Sequence, residues 1–361
     1  MKETMSETDD LAYQAKVLPL VSRTFALTIP QLPLDLVDVV GNAYLLCRLA
    51  DTIEDDAEMD PEIKSAFMSE FLAVIDRKAD AEDFAGRLAP KLSLQTPEAE
   101  RNLVANTDVV VRITSTFSAT QQKAVIRCVT TMCNGMPNFQ DHNTLDGLPG
   151  LVDLDTYCYF VAGIVGEMLT DLFCEHCDEL AERRDEMMGL AVCFGQGLQM
   201  TNILKDIWED QQSDTCWLPR SIFTNIDGGL SQAMRDRNSE AITEGVEELI
   251  GIAHAQLKAA LKYTQLIPKS EPGIRRFCLW AIGMAVLTLK KIHNNPGYTN
   301  GNEVKISRRA VKATVFACAI AQHSNRALKL LFNMASRGLP LAPENEYCPP
   351  QGARLASDRL S

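Results

Sequence analysis

The chain has 361 residues, 46% of them hydrophobic, enough for one large core or two modest ones. Its formal net charge of -13, with acids and bases dispersed, disfavours nucleic acid as a partner, since a phosphate backbone requires a basic face, and none is expected. Eleven cysteines, mostly inside apolar helical runs, read as small buried hydrophobes in a reducing compartment and not as a disulfide framework.

Met1 to Asp10 is acidic and polar, neither a secretory signal nor a transit peptide. Helical periodicity then dominates, and alternating strand patterns are nearly absent. It predicts helices over about 10–17, 22–29, 34–57, 60–77, 97–115, 119–138, 153–176, 178–212, 239–264, 271–294 and 307–336. Ser118 with Gln121 has the capping-box spacing, Thr96-Pro97 puts Pro at a first helical position, and Ser307 precedes a long periodic run. Pro30, Pro33, Pro61, Pro149, Pro219, Pro268, Pro272 and Pro296 punctuate the joins. The expected organisation is a flexible N-terminus over 1–9, one all-α domain over 10–337, and a loose tail over 338–361. The closest approach to a membrane-length apolar window, Ala310 to Gln322, is short and carries Lys312. The protein is therefore expected to be cytoplasmic, with no transmembrane helix and at most a peripheral contact with a membrane.

Two stretches carry chemistry. In Gln199-Met-Thr-Asn-Ile-Leu-Lys-Asp-Ile-Trp-Glu-Asp210, a helix at about 100° per residue places Gln199, Asn202, Asp206 and Asp210 within a sector of roughly 80°. Upstream, Asp51-Thr-Ile-Glu-Asp55 repeats the i, i+4 carboxylate spacing, and its stripe runs back through Arg48 and Tyr44. Mg2+ is usually held by one or two carboxylates, several waters and substrate phosphates, so two such pairs facing each other suit a metal-bridged diphosphate. Arg48 and Lys205 lie beside the pairs, as a diphosphate leaving group requires. A solvated acidic face is the competing reading of either pair alone.

Other site types fit poorly. No Glu-x-x-His occurs, which argues against a carboxylate-bridged di-iron bundle. Cys174-Glu-His-Cys177 lacks a second cysteine pair at zinc-ribbon distance. Gly195-x-Gly197 follows no strand, Gly163-x-x-Gly166 suits close helix packing, and no nucleophile elbow or Walker loop appears.

Val21-Ser-Arg-Thr-Phe25, the block from Tyr44 to Asp56, Tyr157-Cys-Tyr-Phe-Val-Ala-Gly-Ile-Val-Gly166 and the block from Gln199 to Gln212 resemble, in order and separation, the signature blocks of the squalene and phytoene synthases. The resemblance runs from about Val17 to Asn333. It implies an isoprenoid-synthase-type helical bundle around a central cavity, joining two isoprenoid diphosphates head to head. It makes Asp51, Asp55, Asp206 and Asp210 the Mg2+ ligands, with Glu54 as a helper. Ser22, Arg23, Arg48 and Lys205 hold phosphate oxygens, and Gln199 and Asn202 line the mouth. Tyr44 and Tyr157 flank the reacting carbons, where a phenol face stabilises a carbocation and its OH relays a proton. Phe25, Val161, Leu198, Met132, Met136 and the 277–289 segment are the expected apolar wall.

Phe277 to Leu289, Asn294-Asn295 and Lys305-Ile-Ser-Arg308 are similar to the squalene synthase branch, which implies NADPH bound by Lys305 and Arg308. The function implied is condensation of two farnesyl diphosphates through presqualene diphosphate to squalene. The same condensation without reduction, giving dehydrosqualene or phytoene, is the nearest alternative. A terpene cyclase or chain-elongating prenyltransferase, and a non-catalytic helical scaffold, stand further off.

Overall fold

Side-chain caps decide where several helices begin. In a computed structural model describing residues 7–22, 24–56, 58–142 and 144–343, Asp60 accepts from the Glu62 N–H and opens Pro61–Ile75. Asp80 accepts from Asp83 N and opens Ala81–Leu88, a helix the periodicity does not predict. The capping box at Ser118 and Gln121 forms as its spacing predicts, and Ser307 caps Arg308–Ala321. The expected 307–336 helix is instead two, because Ser324 leaves helical geometry (φ -138°) and caps Asn325–Ala335 through Ala327 N. The expected 97–115 helix likewise breaks at Asn106 (φ -118°) into Glu98–Ala105 and Thr107–Thr114. Among the described residues the one pairing of β type is an isolated bridge between Leu148 and Pro219.

The helices divide into two compact units, Met1–Pro137 with Asp171–Asp178, and Asn138–Thr170 with Glu179–Ser361. The first is built on the Leu34–Glu54 helix, against which Glu7–Val21, Pro61–Ile75, Glu98–Ala105, Thr107–Thr114 and Ala119–Gly135 pack. A buried amide fixes one of these contacts: Asn42 donates to Val110 O (2.9 Å) and accepts from Thr114 Oγ1 (2.8 Å). Arg112 holds buried Asp10 through two bonds of 2.9 Å and so fastens the N-terminal helix.

The second unit is built on Arg184–Gln212, packed against Thr243–Leu266, Pro272–Asn294 and the π-helical turn Tyr159–Gly163. Small residues allow that last contact. A Cβ on Gly195 would lie 2.1 Å from Ala162 O, and one on Gly166 would lie 2.1 Å from Ala191 O, so the backbones meet where no side chain fits. Arg308–Ala321 and Asn325–Ala335 pack on each other and on Pro272–Asn294. Past Gly338 (φ 87°) the chain stays fastened, with His254 Nδ1 donating to Pro340 O (2.7 Å) and Ala342 N to Gly251 O (3.1 Å).

Seven of the described cysteines are buried thiols, while Cys193 is disulfide-bonded and departs from the expectation. Leu151–His176 and Pro272–Asn294 are each long and apolar enough to cross a membrane by length and composition, which corrects the expectation that no such helix exists. Of their apolar windows 56% and 67% is buried inside the protein, the condition of a core helix, which is why period alone does not separate the two cases.

Candidate active site

From Val39 to Ile53 every residue of the Leu34–Glu54 helix is buried except Tyr44, Arg48 and Asp51. These three recur at the helical repeat, so a core helix carries one open stripe, and that stripe is polar. The helix ends at Glu54, and Asp55 (φ -76°, ψ -9°) is its C-cap. Ser22, Phe25, Tyr44, Arg48 and Asp51 form a connected chain. Ser22 Oγ accepts from Phe25 N (3.1 Å), and the Phe25 ring lies 5.5 Å from that of Tyr44. Arg48 Nη2 donates to Tyr44 Oη (3.1 Å) and Nη1 stands 3.7 Å from Asp51. Arg23 lies outside the described residues.

The six residues Asp51 to Asp56 separate by environment. Asp56 is buried and saturated, accepting from Glu58 N (3.1 Å), Met59 N (2.9 Å), Ser93 N (2.7 Å) and Thr96 Oγ1 (3.0 Å). Burial raises its pKa, but those hydrogen bonds outweigh it and hold the carboxyl below the usual range. It is a structural anion. Burial pushes Asp51 up to about 7, against the pull of Arg48 and with Asp55 and Glu100 adding repulsion. Burial followed by Asp55 and Asp51 takes Glu54 to about 8. Asp55 is raised as well, by burial first and then Glu100, over the opposing Arg48. The Asp51 side chain nevertheless keeps 32% exposure, so it is reachable from solvent. Burial disfavours the Arg48 cation, but Asp51, Tyr44 and Glu100 together raise its pKa.

Arg184–Gln212 repeats the pattern. Between Ala191 and Trp208 all residues are buried except Leu198, Gln199, Asn202, Lys205 and Asp206. Lys205 Nζ sits 2.9 Å from Asp206 and 3.5 Å from Asn202 Oδ1, which brings three expected residues together. Burial raises the Asp206 pKa, Lys205 opposes and Glu209 adds. One turn on, Asp210 lines a narrow apolar pocket with Ile207, Cys216 and Trp217. Asp55 caps its helix and Asp210 lies in the last turn of Arg184–Gln212, and neither helix has a basic residue in that turn, so each pair reaches the negative end of a helix dipole, where a cation is stabilised.

Tyr157 is buried, with one ring face stacked on Trp217 (4.0 Å, 9°) and its neighbourhood closed by Phe139 (5.4 Å, 67°). Trp217 has no periodic signal because it stands in the loop after the aspartate helix. That loop is pinned by Leu148 N to Leu218 O (3.0 Å) and Arg220 N to Leu148 O (2.9 Å). Two residues before Tyr157, burial pushes Asp155 up to about 6, with Gln196 opposing. Lys305 and Arg308 are exposed and make no hydrogen bond or ion pair among the described residues. Their segment is anchored to the aspartate helix by Glu209, whose Oε1 accepts from Gly301 N (2.8 Å), and by Tyr298, which donates to Leu204 O. The sequence gives Glu209 no role because its spacing alone does not separate it from Asp206 and Asp210.

Among the described residues no three His, Cys, Asp or Glu side chains gather closely enough to hold a metal by themselves. Asp51, Asp55 and Asp206, carboxylates raised by burial yet open to solvent, fit a hard cation completed by water and phosphate oxygen.

The sequence model of squalene/phytoene synthases matches residues 18–310. A squalene synthase of Gibberella zeae is 28% identical over 321 residues, covering 88% of this chain and 66% of that protein. One from Candida albicans is 29% identical over 296 residues, covering 79% and 62%. The chain thus spans less than two thirds of the length of these curated relatives. In fold it is similar to a solved complex of TcSQS with the ligand BPH1237, at a TM-score of 0.76 and 23% identity over 98% of this chain and all of that one. It is also similar to a dehydrosqualene synthase complex, at 0.60 and 19% over 86% and 95%. An all-α fold of isoprenoid-synthase type and a match over four fifths of the sequence place this chain in the squalene/phytoene synthase family.

Proposed function

We propose that this chain condenses two molecules of farnesyl diphosphate head to head, through presqualene diphosphate, and reduces the product to squalene. The observation that carries the reading is the pair of polar stripes on otherwise buried helices, each carrying a carboxylate, Asp51 on one and Asp206 on the other, whose charge its surroundings disfavour. Asp51 and Asp55 on one helix, and Asp206 and Asp210 on the other, would each hold Mg2+ against a diphosphate. Glu54 is close enough in sequence to assist the first pair. The metal would neutralise the diphosphate and make it a better leaving group.

The protein's own groups do the rest. Arg48, Lys205 and the Ser22 hydroxyl donate to phosphate oxygens, with Arg23 beside them in sequence. Arg48 supports this role because its Nε has no partner and its Nη1 is beyond hydrogen-bond range of Asp51. Gln199 and Asn202, on the same stripe as Asp206, orient the substrate. Tyr44 and Tyr157 present phenols to the developing allylic cation, and Tyr157 is held in one orientation by Trp217. Phe25, Leu198 and Val161, all half-buried, keep water from that cation. NADPH, bound through Lys305 and Arg308, would supply the hydride that separates squalene from the unreduced product.

The test is product analysis by mass spectrometry after incubation with farnesyl diphosphate and Mg2+, with and without NADPH. Squalene formed only with NADPH is expected. A product spectrum indifferent to NADPH would replace this reading with dehydrosqualene synthesis, and cyclic products would overturn both.

A further inference from the structure

Seven basic residues and no acidic one lie between Lys305 and Arg337, in a chain whose net charge is -13. This segment forms the helices Arg308–Ala321 and Asn325–Ala335, and each carries the same pattern at i, i+4 and i+8. On the first, Lys312 is followed by Phe316 and Ile320; on the second, Arg326 is followed by Leu330 and Met334. At about 100° per residue each trio falls within roughly 80° of helix surface. Phe316, Ile320, Leu330 and Met334 are 69%, 67%, 62% and 67% exposed, too much for four large apolar side chains in sequence-repeated register to be incidental.

The opposite faces are spoken for. Cys318 contacts Leu279 O of Pro272–Asn294 (Sγ to O 3.8 Å), and Phe332 stacks on His254 of Thr243–Leu266 (5.8 Å). Two adjacent helices on common supports thus turn cation-headed apolar stripes away from their core.

We propose that these two stripes dock the protein on an anionic lipid bilayer. Apolar side chains would enter the acyl boundary while Lys312 and Arg326 reach phosphate headgroups, the arrangement of helices that lie in a membrane interface. Charge complementarity selects this occupant. A second copy using the same patch would set like charges against each other across a two-fold contact. Nucleic acid would find a single stacking ring, Phe316, among side chains that do not stack, on a strongly acidic protein. The proposal stands apart from the chemistry above, because vesicle binding is read without turnover.

The experiment is flotation of the full chain with vesicles of phosphatidylcholine alone and with phosphatidylglycerol added, at low and high salt. Binding to the mixed vesicles, lost at high salt, is expected. The double variants Lys312→Gln/Arg326→Gln and Phe316→Ser/Leu330→Ser should each lower partitioning about tenfold or more, since each removes both members of one class of contact. Because these side chains are exposed, melting temperature and turnover on detergent-dispersed substrate should stay unchanged. Equal binding to both vesicle types, or unaltered binding by both variants, would overturn the proposal. So would a dimer in solution that the variants dissolve, or binding that appears only once residues 344–361 are removed, since the face would then belong to a second copy or to the chain's own end.

Discussion

The Arg48 guanidinium donates to the phenol oxygen of Tyr44 over 3.1 Å, and the same phenol donates onward to the Val21 carbonyl over 3.0 Å. The phenol therefore ties the arginine to the segment that carries Ser22 and Phe25. Tyr44→Phe removes the relay but keeps the ring. Stability should fall by about 1 kcal/mol, the net worth of such a bond. The kcat/KM should fall about tenfold as Arg48 loses its orientation. Denaturant melts and steady-state kinetics check the two effects separately.

Asp51 and Asp56 stand five residues apart and should fail in different ways. Asp51→Asn removes a carboxylate that burial and Asp55 disfavour, so the melting temperature should hold or rise while kcat falls by about 10²-fold or more. Asp56→Ala abandons three backbone N–H groups and the Thr96 hydroxyl, and should cost about 2–4 kcal/mol of stability. Paired melts and rates on both variants decide it; an Asp51→Asn protein with full turnover would remove the metal role.

Metal removal gives the complementary result. Chelation with EDTA should abolish turnover while the far-ultraviolet circular dichroism stays unchanged, because helix packing in neither unit uses the Asp51 and Asp206 carboxylates. Added Mg2+ should restore activity. Asp206→Asn should shift the Mg2+ concentration needed for half-maximal rate upward about tenfold or more, as one ligand charge is lost.

Two glycines of one helix should respond with opposite sign. Gly195→Ala would drive a methyl to 2.1 Å from the Ala162 carbonyl oxygen and should destabilise by about 2–4 kcal/mol. Gly189 has nothing within 4 Å of its ideal Cβ, so Gly189→Ala should stabilise by about 0.5–1 kcal/mol through helix propensity alone. Chemical denaturation of the two variants reads both.

His254 makes stability depend on pH. Burial lowers its pKa, with the Pro340 carbonyl opposing, so the folded state resists protonation more than the unfolded chain does. The His254 contribution is intact above about 6.5, the unfolded value, and is lost as pH falls through the folded pKa. His254→Asn should flatten the fall in melting temperature between neutral and mildly acidic buffer relative to the parent. Identical slopes would show that other groups set the acid limit.

Much of this was legible from residues in a row. Helix type follows from period, and the two stripes follow from i, i+4 spacing, because both are local geometry: a helix brings Tyr44, Arg48 and Asp51 to one side whatever packs around it. What local geometry cannot supply is environment. Asp51, Asp55 and Asp56 are the same residue type in one short run, yet only the fold brings Ser93 and Thr96 to Asp56 and leaves Asp51 with a lone distant guanidinium. Nor does sequence place Trp217 on Tyr157, or show that the apolar residues of Pro272–Asn294 face protein while Phe316 and Leu330 face outward. Those facts come from contacts between segments far apart in the chain, and burial is a property of such contacts, not of a residue's own name.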